Sequence, residues 1–218
     1  MDEQQLRAEI CRVGKSLFDR GYVHATAGNI SVKLDDGYLI TPTDACLGFL
    51  DPERLSRVDR DGAPISGDRP SKTLALHRWI YAADSTARCV IHTHSTHLVS
   101  LALSGVWSHD DIVPPITPYY VMKVGHVPLM SYQRPGDPRV GDMVAAAIAR
   151  FAARKTPIRA VMLDRLGPNV WHETPAGAMA TLEELEETAK LWLFAGKTTQ
   201  PLPEAEIEEL RRAFGARW

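Results

Sequence analysis

Apolar positions recur at helical spacing toward both ends of the chain and at strand spacing in several stretches between. Leu6, Ile10, Val13, Leu17 and Phe18 share one stripe of a helix predicted over 3–20, with Gly21 as its stop. Ile30, Val32 and Leu34 alternate with polar neighbours, Asp35-Asp36-Gly37 turns the chain, and Tyr38-Leu39-Ile40 returns it. That is a hairpin with Gly28-Asn29 at its mouth. A second turn falls at 59–62. Leu74, Leu76, His77, Trp79, Ile80 and Tyr81 predict a helix, opened by Pro70 and capped by Ser71. A strand follows at 88–93, a helix at 95–103, and a loop rich in Pro, Ser and Asp over 104–118. Strands are expected at 127–132 and 160–163, with an Ala-faced helix at 139–153 between them. Leu182, Leu185, Ala189, Trp192 and Leu193 stripe a helix over 181–194, and a last short helix spans 204–214.

Helices alternate with strands, but the early hairpin breaks a βαβ rhythm. The pattern therefore predicts an α/β fold with a mixed or antiparallel sheet flanked by helices, in one domain over 1–218. Neither G-x-G-x-x-G nor a Walker A pattern occurs, so a dinucleotide or P-loop site has no support. The chain is 44% hydrophobic, ample for a core. No apolar run approaches the ~20 residues of a membrane span, and the acidic start lacks a signal stretch. A cytoplasmic protein with no membrane partner is expected. Cys11, Cys46 and Cys89 are isolated and odd in number, which suits reduced thiols. A net charge of -2 without a Lys/Arg run argues against nucleic acid as partner, while a small phosphorylated metabolite needs only a few donors.

Cys89-Val90-Ile91-His92-Thr93-His94 carries the sharpest chemistry. Side chains two apart on a strand point the same way, so His92 and His94 can share one cation, and imidazole suits zinc. The alternative is two hydrogen-bonded histidines at a strand end. A catalytic site wants a third ligand, and His24, His77, His97, His109, His126 and His172 are all available. His97 starts a helix that turns away, and His77 reads as a core histidine or a support for the ligands. His126 precedes a strand and His172 follows one; spacing ranks neither. Gly28-Asn29, Thr41-Pro42-Thr43 and Ser71-Lys72 each offer backbone N–H groups, hydroxyls or a positive charge, and together would cradle a phosphate.

The stretches GNIS at 28–31, TPT at 41–43, GDRPSK at 67–72, HTH at 92–94 and RPGD at 134–137 resemble, in this order, the class II aldolase family of metal-dependent sugar-phosphate enzymes. TPTDACLG, HTHSTHLVSLAL and TPYYVMKVGHVPL resemble its branch of 3-oxo-tetronate 4-phosphate decarboxylases. The resemblance implies the three-layer fold of that family and a homotetramer with active sites at subunit boundaries. It implies that Gly28, Asn29, Thr43, Ser71 and Lys72 hold the substrate phosphate, with Asp44 contributing through its backbone where relatives have glycine. It implies that His92 and His94 hold Zn2+ or another divalent ion.

Two positions depart from the family pattern. Thr73 stands where a proton-shuttling glutamate is expected, and Leu166 of Arg165-Leu166-Gly167 stands where the third metal histidine is expected. The expectation is that His126 restores a three-histidine site, with His172 as second choice. Decarboxylation of a 3-oxo acid needs no base at position 73, whereas retro-aldol cleavage does. The leading reading is zinc-dependent decarboxylation of 3-oxo-tetronate 4-phosphate to dihydroxyacetone phosphate and carbon dioxide, a carboxy-lyase step in carbohydrate breakdown. The alternative is a class II aldolase that cleaves a ketose 1-phosphate to dihydroxyacetone phosphate and an aldehyde. A non-catalytic binding or scaffold protein is a third reading, disfavoured by the retained histidines. Lys72, Tyr119 and Tyr120 are the candidate catalytic residues, with Asp110 or water as further proton donors.

Overall fold

A computed structural model describes residues 1–218. Strands β1 (Asn29–Lys33), β2 (Gly37–Ile40), β3 (Ser56–Asp59), β4 (Pro64–Ser66), β5 (Cys89–His92), β6 (Leu129–Met130), β7 (Ala160–Leu163) and β8 (Gly167–His172) join in one sheet, ordered β4-β3-β2-β1-β5-β8-β7-β6. Every neighbouring pair is antiparallel except β6 with β7. The helices are α1 (Glu3–Asp19), α2 (Leu74–Ala83), α3 (Thr96–Ser104), α4 (Pro118–Lys123), α5 (Arg139–Ala153), α6 (Pro175–Phe194) and α7 (Glu204–Phe214).

Alternation along the strands sorts two cores onto the two faces of the sheet. Ile30, Cys89, Ile91 and Val170 join the larger core, packed with residues of α1, α3, α4, α6 and α7. Val90 and Trp171 point the other way, into a core shared with Ile80 and Tyr81 of α2 and Val144, Ile148 and Phe151 of α5. The result is the expected three-layer α/β arrangement. Asp2 caps α1 through a capping box with Gln5, which fixes the start of that helix.

Several boundaries differ from the sequence expectation. Ser71 does not cap α2; its Oγ accepts from the Thr73 N–H at 3.3 Å, and the helix begins at Leu74. The expected strand at 127–132 shrinks to Leu129–Met130, with Pro128 lacking an N–H at its start. Part of the 104–118 loop prepares α4, whose cap is Thr117 accepting from the Tyr120 N–H at 3.1 Å. Strands β3 and β4 went unforeseen because polar residues build them: Arg57 is buried by bonding Asp36 and Glu3. Helix α6 begins earlier than 181, at Pro175, where Thr174 caps the Gly177 N–H at 3.0 Å.

Candidate metal and phosphate site

His92 ends β5 on the face that carries Val90, against α2 and α5. It is buried, and its Nδ1 donates to the carbonyl of Pro168 at 2.8 Å. A carbonyl only accepts, so the proton sits on Nδ1 and the lone pair of Nε2 is left for a cation. His94 lies just beyond the strand, half-buried, with ring centroids 5.1 Å apart. Burial first, and the neighbouring His94 second, push His92 down to about 4. Burial and then His24 lower His94 as well. Both rings are therefore neutral at neutral pH, the state that ligates metal. That donor pair fits a borderline divalent ion such as zinc. No three His, Cys, Asp or Glu side chains form a ready-made metal cluster within the chain.

The expected third ligand does not reach this place. His126 Nδ1 bonds Asp111 at 2.7 Å, and its ring stacks on Trp218 with centroids 4.3 Å apart. The Gly125-His126 turn serves the packing of the chain end, not the His92–His94 pair. His172 instead lines a separate cavity of about 310 Å³ with Lys123 and Arg159. His97 turns away as expected, bonding Glu186 at 2.8 Å. His77 is a fully buried core histidine whose Nδ1 pairs with Ser31 Oγ at 2.7 Å. Tyr120 is wholly buried beside Trp218, and Tyr119 is 61% exposed on α4, so neither tyrosine lines the site within its own chain. Asp110 is held by Arg150 and Arg154 at 2.6 and 3.0 Å.

The residues expected to hold the phosphate do converge. Pro42 and Pro70 form an isolated antiparallel bridge, the Thr43 N–H donates to Arg69 at 2.9 Å, and the Ser71 N–H donates to Thr41 at 3.3 Å. These bonds bring Thr43-Asp44 and Ser71-Lys72 together beside Gly28-Asn29. Gly28 has φ 85, and a Cβ there would lie 2.9 Å from the His92 carbonyl oxygen, so only glycine lets the loop approach β5. Asp44 has φ 57, the left-handed region that glycine occupies most easily and aspartate tolerates. All six residues line one cavity of about 610 Å³ together with His92 and His94.

The cavity also holds residues that pattern reading missed. Arg134 and Asp137 of the RPGD loop, Asp164 and Asn169 all line it. Only RPGD had a sequence signal. Leu166 lines the wall where the family's histidine is expected, and Thr73 accepts from Asn29 Nδ2 through Oγ1 at 3.3 Å.

Residues 8–193 match the class II aldolase and adducin N-terminal domain. The chain is 56% identical to a 3-oxo-tetronate 4-phosphate decarboxylase of Cupriavidus necator, over 99% of both chains. It is 45% identical to an enzyme of the same name from Pectobacterium atrosepticum, over 89% of this chain and 86% of the other. The crystal structure of YgbL from Escherichia coli superposes with a TM-score of 0.87 at 42% identity, covering 96% of this chain and 99% of that one.

Proposed function

Because the chain belongs to the class II aldolase and adducin family, we propose that it decarboxylates 3-oxo-tetronate 4-phosphate to dihydroxyacetone phosphate and carbon dioxide. The observation that carries this reading is one cavity joining an anion corner to two neutral histidines, with threonine at position 73. Lys72, Ser71, Thr43 and the backbone at Gly28-Asn29 and Asp44 hold the phosphate. That end fixes the substrate so that its 3-oxo group lies toward His92 and His94.

A divalent ion held by His92 and His94, zinc in our reading, would act as a Lewis acid on the ketone oxygen. The bond from C1 to C2 breaks, its electron pair moves toward the ketone, and carbon dioxide leaves. A proton delivered to C2 completes dihydroxyacetone phosphate. No residue must remove a substrate proton, so Thr73 is no obstacle. Its Oγ1 instead holds the Asn29 carboxamide. Arg134, on the cavity wall, offers a cation for the carboxylate before it departs.

The second reading is aldol cleavage of a ketose 1-phosphate. Asp164, a carboxylate on the same cavity wall, is what favours it, since cleavage requires a base. We further propose that the chain acts as one domain over 1–218, as a homotetramer in the cytoplasm. A role for Tyr119 would then be in a neighbouring subunit's site. No helix is long and apolar enough to cross a membrane.

Incubating purified protein with 3-oxo-tetronate 4-phosphate tests the proposal. Stoichiometric carbon dioxide and dihydroxyacetone phosphate are expected. An aldehyde from a ketose 1-phosphate, with no carbon dioxide from the oxo acid, would replace decarboxylation by aldol cleavage.

A further inference from the structure

Seven buried side-chain polar atoms find no partner within the protein, and four of them cluster around His92: Asn29 Oδ1, His77 Nε2, and both Oδ1 and Nδ2 of Asn169. Asn169 is the extreme case. It is 0% exposed and lines the active cavity, yet neither end of its carboxamide is satisfied. Buried polar groups are almost always paired, and an orphan pair on one side chain calls for a ligand.

The sheet register says where that ligand lies. On β8, Asn169 stands directly opposite His92 of β5; on the other side, Asn29 of β1 stands opposite the same histidine. Cross-strand partners have Cβ atoms about 4.5–5.5 Å apart on one face of the sheet. Asn169 and His92 both face α2 and α5, as Trp171 and Val90 two residues away confirm. Asn169 is thus the cross-strand neighbour of His92 on the cavity face of the sheet. Asn29 is anchored by Thr73 and belongs to the anion corner, whereas nothing anchors Asn169.

We infer that Asn169 is the third protein ligand of the divalent cation, donating Oδ1 beside His92 and His94. The inference rests on the metal-dependent reading above. It accounts for the absence of a three-residue His, Cys, Asp or Glu cluster around the two histidines and for the leucine at position 166. A carboxamide oxygen is a harder donor than imidazole, so the site favours Mn2+ or Co2+ over Zn2+ more than a three-histidine site does. Nδ2 remains free to donate to a substrate oxygen.

Binding of Co2+, Mn2+ and Zn2+ to the metal-free protein, followed by calorimetry and by the visible spectrum of Co2+, tests the inference. Asn169→Val keeps a strand-compatible residue and removes both orphan atoms. It should raise the melting temperature of the metal-free protein while weakening cation binding at least tenfold. Asn169→Asp places an anionic oxygen at the same point and should bind the cation at least as tightly as wild type. Unchanged affinity in Asn169→Val, or Asn169→Asp binding no better than Asn169→Val, overturns the assignment while leaving the metal itself in place. If the wild-type protein binds none of the three ions, the metal-dependent reading falls and this ligand with it.

Discussion

The carbonyl of Pro168 accepts from Nδ1 of His92 at 2.8 Å, so β8 fixes the orientation of a ring carried by β5. This bond decides the tautomer and aims Nε2 into the cavity, the usual arrangement behind a ligating histidine. It also couples the His92–His94 pair to the turn at Arg165-Leu166-Gly167, where β8 begins.

His92→Ala and His94→Ala should each remove the cation. The protein should bind about one divalent ion per chain, and either variant should lose more affinity than the ~10–100-fold typical of removing a supporting hydrogen bond. Elemental analysis after dialysis reads the result. Because protons compete for the same nitrogens, affinity should also fall with falling pH. Full metal retention in the double variant would end the assignment.

Lys72→Ala should weaken the phosphorylated substrate selectively. A charge-assisted hydrogen bond contributes about 1.5–3 kcal/mol, roughly ten- to a hundredfold in affinity. Titration with the phosphorylated acid and its unphosphorylated counterpart separates the roles. Equal losses for both ligands would mean that Lys72 does not read the phosphate.

His77 makes stability depend on acid. Full burial, with the neighbouring His92 adding to it, holds its pKa down to about 3, against ~6.5 in an unfolded chain. As pH falls below ~6.5 the unfolded chain takes up the proton first, so this contribution is complete above ~6.5 and is lost as pH falls toward 3. The slope approaches ~1.4 kcal/mol per pH unit for one proton. In metal-free protein, His77→Gln should show a shallower decline of melting temperature between pH 6.5 and 4.5 than wild type. Parallel curves would show that His77 is not the titrating group.

Much of the fold was legible because burial and periodicity agree. The hairpin of β1 and β2, the HTH strand and the helix at Arg139–Ala153 all follow from apolar spacing. The residues expected at the phosphate and the His92–His94 pair stand in recognisable motifs, and one cavity brings them together. What failed was long-range pairing. His126 has the right residue type, but its Asp111 and Trp218 partners are set by tertiary packing that no local window contains. Tyr120 likewise looks reactive in a string of letters and is a core residue in three dimensions. Asn169 carried no motif at all; only its register with His92 and its unpartnered carboxamide give it away.

Gly167 offers the sharpest link between backbone and chemistry. Its φ is 135, and a Cβ at this position would stand 2.0 Å from the carbonyl oxygen of Thr93, the residue between the two histidines. An alanine must therefore push β8 away from the His92-Thr93-His94 segment, besides straining its own backbone. Strain of this kind costs about 1–3 kcal/mol before the clash is counted. For a chain of this length each kcal/mol lowers the melting temperature by about 2–4 °C. Gly215 is the control: its φ of 66 is also left-handed, but nothing lies within 4 Å of an added Cβ. Gly215→Ala should cost about 1–2 kcal/mol and leave cation affinity unchanged. Gly167→Ala should cost more and weaken cation binding, because the displaced segment carries both the Pro168 bond to His92 and the neighbouring Asn169. Melting curves with cation titrations on both variants decide it, and equal effects from the two substitutions would show that the contact with Thr93 does not position the site.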